Sequence, residues 1–194
     1  STLLASSAAS DVYKRQILVL AGSIPNTLPE DIYERIMERL AGRKIHIVVD
    51  ATKDLLLNVL KYHPFLIKPN NHELEELFGV TLKQEEDIIV YARKLQEMGA
   101  VNVLISMAGD GALLLTEDGK VYRKMPPKGN VVNSVGAGDS MVAGFLTGYL
   151  NTNNYEKALQ LGIAAGSASA FLSWLAGKDE IVKLLQQPPE EYGL

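Results

Sequence analysis

Short apolar stretches alternate with amphipathic stretches over most of this chain, and this alternation restricts its fold more than any other feature. Strands are predicted at residues 17–21, 45–50, 63–67 and 101–106. The stretches between them place apolar side chains at helical spacing, as Ile32, Ile36 and Leu40 do, with charged residues on the opposite face. Strands that alternate with helices form a largely parallel sheet covered on both faces, so a three-layer α/β/α fold is predicted.

Other periodic segments complete this prediction. Helices are predicted at residues 29–40, 53–61, 71–78, 84–98, 138–150, 155–172 and 179–186. A β-hairpin is predicted from residues 112–115, a turn at 117–119 and residues 121–122, and residues 130–132 are expected to end a strand. Residues 1–16 are small, polar and aperiodic, so we expect a non-native or disordered leader before a domain at residues 17–194.

Composition argues against several classes of function. The chain has 194 residues, of which 47% are hydrophobic, enough for one domain with a substantial core. Its net charge of −4 and its lack of a basic run argue against nucleic acid as a partner. Without cysteine there is no disulfide or thiolate metal site, and the three histidines are too far apart in sequence to suggest a metal cluster. No apolar run is long enough to span a bilayer, so we expect no membrane association and a cytoplasmic location.

Polar or glycine-containing segments follow the predicted strands. Ligands of parallel α/β sheets bind beyond the carboxyl ends of the strands, so these segments should lie along one ligand-binding rim. They are residues 22–23, Asp50, residues 68–70, residues 106–111 and residues 136–139.

The most informative of these segments is Gly136-Ala137-Gly138-Asp139, which opens a predicted helix. Its small residues leave successive backbone N–H groups uncovered, and with the helix N-terminus they form a concave site for an anion such as phosphate. A carboxylate at Asp139 would repel that anion unless it takes part in the chemistry. Alternatively, Asp139 only stabilises the helix, since an acid in the first turn contributes about 0.3–1 kcal/mol.

Asn70 and Glu73 place an amide and a carboxylate three positions apart at the start of another predicted helix. Such oxygen ligands suit Mg²⁺, often through its water shell, with a substrate phosphate completing the coordination. The alternative, favoured on this stretch alone, is that Asn70 caps the helix and Glu73 completes a capping box. Lys68 could reach a phosphate, although an unpaired lysine is usually solvated surface.

Two small-residue segments could contact a nucleotide. Residues 106–111 form a loop that permits close approach of a flat or anionic ligand, although hairpin geometry explains its glycines equally well. Residues 162–169 form a helix face with little side-chain bulk, for which close helix packing is favoured over a nucleoside wall.

Together these segments supply an anion site, an acid beside it, metal-type ligands and room for a nucleotide. That set fits phosphoryl transfer from a nucleotide to a hydroxyl, with Asp139 accepting the hydroxyl proton and the amides of Gly136, Ala137 and Gly138 stabilising the transferred group. The sequence has neither a Walker-A lysine motif nor a protein-kinase catalytic loop.

Several segments resemble one known family. Residues 132–144 resemble the carboxyl-terminal signature of the PfkB branch of ribokinase-like sugar kinases. Its metal-associated segment is similar to residues 67–74, its Ser-Gly-Ser-Leu-Pro stretch to residues 21–25, and its nucleotide loop to residues 105–112. The similarity runs from Ile17 nearly to the end of the chain, and it implies a ribokinase-like fold.

The resemblance implies roles for individual residues. Asp139 matches the catalytic base, Gly136, Ala137 and Gly138 match the anion hole, and Asn70 and Glu73 match the residues that help to place Mg²⁺. Lys68 matches a phosphate contact. The positions that match ATP contacts are Ser106, Met107, Ala108, Gly109, Asp110, Gly111 and Gly138.

The implied activity is ATP-dependent phosphorylation of D-fructose 1-phosphate at its 6-hydroxyl, with MgATP and the sugar phosphate as partners. The alternatives are tagatose-6-phosphate kinase activity, 6-phosphofructokinase activity, or nucleotide binding without catalysis. Family members carry an amino-terminal half with sugar-binding residues and a β-sheet lid before the segment that matches residues 22–23, and we expect both to be missing here. We therefore expect this chain alone to turn over little or nothing, while the complete protein could form a homodimer.

Overall fold

The structure, a computed structural model, describes residues 16–25 and 27–187 of the chain. These residues divide into two compact units, one up to Leu104 and the other from Ile105 onward. The leader expected at residues 1–16 lies outside the described residues, except for Gln16. The carbonyl oxygen of Gln16 accepts a hydrogen bond from the His46 N–H at 3.1 Å.

Parallel strands form the core of the first unit. They are β1 (Ile17–Ala21), β2 (His46–Asp50), β3 (Leu66–Ile67) and, up to the boundary at Leu104, β4 (Asn102–Ser106). Ile17 lies opposite His46, Val48 opposite Leu66, and Leu66 opposite Asn102, so neighbours in the chain are neighbours in the sheet. The prediction of parallel strands is confirmed for this unit, and the connecting helices provide the crossovers that parallel pairing requires.

β1 is less buried than its composition predicts. Val19 is 43% exposed, whereas Val48 and Val49 of β2 are fully buried. Among the described residues β1 pairs with β2 alone, so it forms an edge of the sheet and part of its surface has no cover. The predicted cover on both faces of the sheet is therefore wrong at Val19 of β1.

The helices of this unit are α1 (Ile32–Leu40), α2 (Lys53–Leu57), α3 (Asn71–Phe78) and α4 (Glu85–Glu97). α3 and α4 confirm their predictions, and α3 ends at Gly79, whose left-handed φ of 63° is typical of a helix C-terminus. α2 is shorter than predicted, and a separate 3-10 turn follows at Leu60–Tyr62. The chain turns there because His63 has a left-handed φ of 55°, directly before Pro64.

The second unit contains a β-hairpin, as predicted. β5 (Ala112–Leu115) pairs antiparallel with β6 (Val121–Lys124). Its turn is closed by the Thr116 N–H, which donates to the Lys120 carbonyl at 3.0 Å, and by the Gly119 N–H, which donates to the Thr116 carbonyl at 2.8 Å. Three helices follow: α5 (Ala137–Thr152), α6 (Tyr155–Ala170) and α7 (Lys178–Leu185). None of the described helices is long and apolar enough to cross a membrane.

α5 and α6 pack backbone against backbone through small residues. A Cβ atom added at Gly144 would lie 2.7 Å from the Ala165 Cβ and 2.7 Å from the Leu161 carbonyl oxygen. One added at Gly162 would lie 2.9 Å from the Met141 carbonyl oxygen, closer than real Cβ atoms approach. The small-residue face at residues 162–169 therefore serves helix packing, which confirms the favoured alternative over a nucleoside wall.

Residues 130–132 do not end a strand, so that prediction is wrong. The Val132 and Asn133 N–H groups both donate to the Ala170 carbonyl oxygen, at 2.8 and 3.1 Å. Val131 and Val132 are exposed. Their apolar, β-branched side chains favour a strand locally, but their backbone is bonded to the end of a helix instead.

Candidate active site

A buried ion pair lies at the carboxyl ends of β2 and β3. The Lys68 Nζ is 3.2 Å from the Asp50 Oδ1, and Lys68 is only 7% exposed. The Asp50 backbone carbonyl also accepts the Gly22 N–H at 3.0 Å, which joins the end of β1 to the same place. Lys68 is therefore not the solvated surface lysine that was one alternative. Burial of its ammonium group is made tolerable by the opposite charge of Asp50.

Tyr33 of α1 closes this corner of the first unit. Its hydroxyl oxygen lies 2.8 Å from the Ala21 carbonyl oxygen and 3.2 Å from that of Gly22. Burial, followed by the nearby Asp50 carboxylate, raises the pKa of the Tyr33 hydroxyl above its usual value. The neutral phenol is thus favoured, and it stays a hydrogen-bond donor to the backbone that follows β1.

Asn70 and Glu73 form a complete capping box at the start of α3. The Asn70 Oδ1 accepts the Glu73 N–H at 2.8 Å, and the Glu73 Oε2 accepts the Asn70 N–H at 2.8 Å. The capping alternative is confirmed. A carboxylate keeps a second oxygen beyond the one used here, so the box is compatible with a further contact to the water shell of a cation. The described residues contain no group of three or more histidines and acids that could hold a metal directly.

The loop at residues 106–111 contains a 3-10 turn at Ala108–Asp110, closed by the Met107 N–H, which donates to the Gly111 carbonyl at 2.8 Å. Gly111 has a left-handed φ of 83°, and a Cβ there would lie 2.2 Å from the Lys124 carbonyl oxygen. Hairpin geometry therefore explains Gly111. Gly109 is exposed and has open space around its Cβ position, so this tip of the loop offers room for a ligand.

The glycine turn at residues 134–139 leads into α5. Gly136 is the N-cap residue, with a left-handed φ of 79° that favours glycine. The Ala137 N–H donates to the Ser134 carbonyl at 3.2 Å, so this amide of the expected anion hole is already engaged. In the part of the chain that the structure describes, the Gly138 and Asp139 N–H groups have no acceptor. Two backbone donors at a helix N-terminus are therefore available for an anion.

Asp139 lies exposed in the first turn of α5. No side chain caps this helix, and within residues 16–25 and 27–187 the Asp139 carboxylate has no hydrogen-bond or ion-pair partner. The macrodipole of α5 still favours its negative charge. Asp139 therefore does not cap α5 through a side-chain hydrogen bond.

The structure brings some of the predicted rim together. Lys68, Asp50 and Gly22 meet at one edge of the first unit, next to the capping box of α3. Loop 106–111 and the glycine turn belong to the second unit, and no hydrogen bond joins them among the described residues. Asp50 was expected on the ligand-binding rim, but its ion pair with Lys68 was not predicted. The parallel register of β2 and β3 would have predicted this pair. Val49 lies opposite Ile67, so the next residues along the two chains, Asp50 and Lys68, lie beside each other.

Comparisons with known proteins agree on one family. The family described as pfkB family carbohydrate kinase matches residues 2–173. The 1-phosphofructokinase of Bacillus subtilis strain 168 is 47% identical over 171 residues, which cover 88% of this chain and 56% of that protein. The D-tagatose-1-phosphate kinase of Bacillus licheniformis is 36% identical over 173 residues, covering 89% of this chain and 57% of that protein.

Solved structures give the same result for the fold. A Staphylococcus aureus protein, provisionally described as a phosphofructokinase, matches with a TM-score of 0.85 and 41% identity, over 90% of this chain and 56% of that one. The predicted ribokinase-like α/β fold is confirmed by this likeness. The chain spans about half the length of the relatives that it matches.

Proposed function

The chain belongs to the pfkB family of carbohydrate kinases, and we propose that it serves the transfer of a phosphoryl group from ATP to the 6-hydroxyl of D-fructose 1-phosphate. The observation that carries this proposal is the open N-terminus of α5, where two backbone donors without acceptors lie beside an exposed carboxylate. The name of the Bacillus subtilis relative supports the choice of sugar phosphate.

Asp139 would act as the general base. Its carboxylate is exposed and has no partner in the described part of the chain, so it can accept the proton of a substrate hydroxyl as that oxygen attacks phosphorus. The Gly138 and Asp139 N–H groups would donate to oxygens of the transferred phosphoryl group. The left-handed backbone of Gly136 sets the direction of these donors.

Lys68 would contribute a positive charge for the phosphates. Its ammonium group is buried and held by Asp50, so its position is defined before any ligand arrives. A preorganised charge in a poorly solvated place stabilises an anion more than a surface lysine does.

Mg²⁺ would be held through its water shell by Glu73, with Asn70 fixing the position of Glu73 through the capping box. When bound, the ion would neutralise phosphate charge. Glu73→Gln tests this role, because Gln also completes a capping box, whereas it lacks the negative charge. We expect a raised Mg²⁺ requirement for turnover with an almost unchanged free energy of unfolding. An unchanged Mg²⁺ requirement would leave Glu73 with capping alone.

A second candidate substrate is D-tagatose 1-phosphate, which the name of the Bacillus licheniformis relative favours. A panel of hexose phosphates, which includes fructose 1-phosphate, fructose 6-phosphate, tagatose 1-phosphate and tagatose 6-phosphate, distinguishes these activities by kcat/KM. The panel is measured on the 194-residue chain and on a chain extended to the length of its relatives. Binding of MgATP by calorimetry without turnover in either form would favour a nucleotide-binding module and contradict the proposed kinase activity.

A further inference from the structure

The last turn of α6 contains a buried serine that connects two other segments. Ser169 is 2% exposed, and its Oγ lies 2.9 Å from the Oγ of Ser140, the residue after Asp139. The same Ser169 Oγ accepts the Ala176 N–H at 3.1 Å. Because a hydroxyl carries one hydrogen and two lone pairs, Ser169 can accept from Ala176 and donate to Ser140 simultaneously.

Neighbouring contacts join the same segments. The carbonyl oxygen of Ala170, which follows Ser169, accepts the N–H groups of Val132 and Asn133 on the approach to the glycine turn. On the other side, a Cβ added at Gly136 would lie 2.6 Å from the Leu175 Cδ2. The end of α6 thus contacts the approach to the turn, the first turn of α5 and the segment at residues 171–176.

We propose that Ser169 is a positioning residue for the anion-binding turn. Its hydrogen bonds hold the first turn of α5 and the segment at residues 171–176 in one arrangement, and this turn carries the Gly138 and Asp139 amides and the Asp139 carboxylate. The consequence for phosphate binding rests on the proposed function. The hydrogen bonds that join Ser169 to Ser140 and Ala176 do not depend on the proposed function, and their effect can be measured without any ligand.

The test compares Ser169→Ala with Ser167→Ala in the 194-residue chain. Ser167 lies on the same helix and is half-buried, and its hydroxyl makes no hydrogen bond within the described residues, so it controls for loss of a hydroxyl from α6. Amide hydrogen exchange is read at Ala137 and Ser140, whose N–H groups bond to Ser134 and Gly136. Ala176 is not informative, because Ser169→Ala removes its acceptor directly.

We expect exchange at Ala137 and Ser140 to become about tenfold faster in Ser169→Ala and to stay unchanged in Ser167→Ala. MgATP affinity, measured by calorimetry, should fall about five- to tenfold in Ser169→Ala only. Ser140→Ala removes the same hydrogen bond while Ala176 keeps its acceptor. The double variant should therefore show no greater change at Ala137 than Ser169→Ala alone.

Unchanged exchange at Ala137 and Ser140 would overturn the inference, as would equal acceleration along all of α6 and β5, which indicates general destabilisation. Faster exchange with unchanged MgATP affinity would also overturn it. If the unmodified chain binds no MgATP, the proposed function is contradicted. In that case exchange at Ala137 and Ser140 alone decides whether Ser169 positions this turn.

Discussion

The N-termini of α3 and α5 carry similar charge patterns but offer different chemistry. In α3, Asn70 is the N-cap, and Glu73, three residues later, completes two reciprocal hydrogen bonds of 2.8 Å. In α5, Gly136 is the N-cap, and Asp139 occupies the same place in the first turn. Gly136 has no side chain to accept an N–H, and the Asp139 carboxylate makes no hydrogen bond within the described residues.

This difference shows how an acid at a helix start stays free of contacts within the described residues. The capping box of α3 satisfies its own backbone donors, so that helix start is stabilised internally. The N-terminus of α5 leaves donors and a carboxylate for a ligand, and its glycine N-cap gives up only about a few tenths of a kcal/mol relative to a side-chain cap. The identity of the N-cap residue, rather than the acid, separates the two cases.

The largest expected effect follows from Asp139→Asn. Loss of the proton acceptor should lower kcat by about 10²–10⁴-fold, while MgATP affinity changes little. The free energy of unfolding should fall by less than about 1 kcal/mol, since only the dipole contribution is lost. Turnover is measured in whichever form of the protein phosphorylates the sugar phosphate, and stability by urea unfolding.

Asp179→Asn is the matched control for this variant. Asp179 also lies in the first turn of a helix whose N-cap is a glycine, Gly177 of α7. It should show a similar small change in stability and unchanged turnover. Equal losses of activity in both variants would contradict a catalytic role for Asp139. A loss of turnover that only follows unfolding would mean that Asp139 stabilises its helix and does nothing more.

A smaller effect is expected from Gly136→Ala. The left-handed φ of 79° disfavours any residue with a Cβ, so the free energy of unfolding should fall by about 1–2 kcal/mol. Leu175, whose tip faces the new methyl group, is 64% exposed and can turn aside. Gly42→Ala is the control, because Gly42 has a φ of 78° and open space around it. Both variants should lose similar stability by urea unfolding, and Gly136→Ala alone should weaken MgATP binding.

Asn70→Ala tests how much the capping box at the start of α3 contributes to stability. Removing the side-chain acceptor should lower the free energy of unfolding by about 1 kcal/mol, and Asn70→Asp should restore it, since Asp is an equally good N-cap. Urea unfolding of the three proteins measures the difference. A stability that is the same in Asn70→Ala and the unmodified chain would mean that the capping box contributes nothing measurable.

The smallest effect concerns Asp118, a surface acid that is bonded to Thr116 and Lys120 in the hairpin turn. Hydrogen bonds from Lys120 first, and then Thr116, lower the pKa of Asp118 to about 2 from a usual value of 3.8. Because the folded-state pKa is the lower one, its contribution to stability is complete above the unfolded value and is lost as pH falls from about 4 through 2. Asp118→Asn should flatten the dependence of Tm on pH in that interval. If the slope of Tm against pH is the same in Asp118→Asn and in the unmodified chain, the hydrogen bonds from Lys120 and Thr116 do not stabilise the charged Asp118 carboxylate.

Much of the fold could be predicted because it depends on local pattern. Continuous apolar runs predict β2 and β4, and the hairpin turn lies at Gly119, as expected. The failures depend on tertiary contacts. The exposure of β1 reflects which strand lies beside it, and residues 131–132 lack a strand because their backbone is bonded to Ala170.

In the candidate site, too, local pattern predicts some features and tertiary contacts determine the others. Asp139 and the glycine turn could be identified from residue type and order, and Gly136 could be excluded as a side-chain cap by its identity alone. The ion pair of Lys68 with Asp50 could not be assigned from local pattern, since it requires the register of two strands. Ser169 and Ser140 are 29 residues apart, and only the packing of α6 on α5 brings their hydroxyl groups together.

The close contact of α5 with α6 also limits how this chain can vary during evolution. Gly148, about 14 Å along α5 from Asp139, would place a Cβ 2.8 Å from the Ala158 Cα. A methyl group there would separate the helices and shift the first turn of α5 relative to its surroundings. In a random mutagenesis screen for kinase activity, Gly144, Gly148 and Gly162 should therefore tolerate substitution as poorly as residues that contact the substrate, although their Cβ positions face the neighbouring helix.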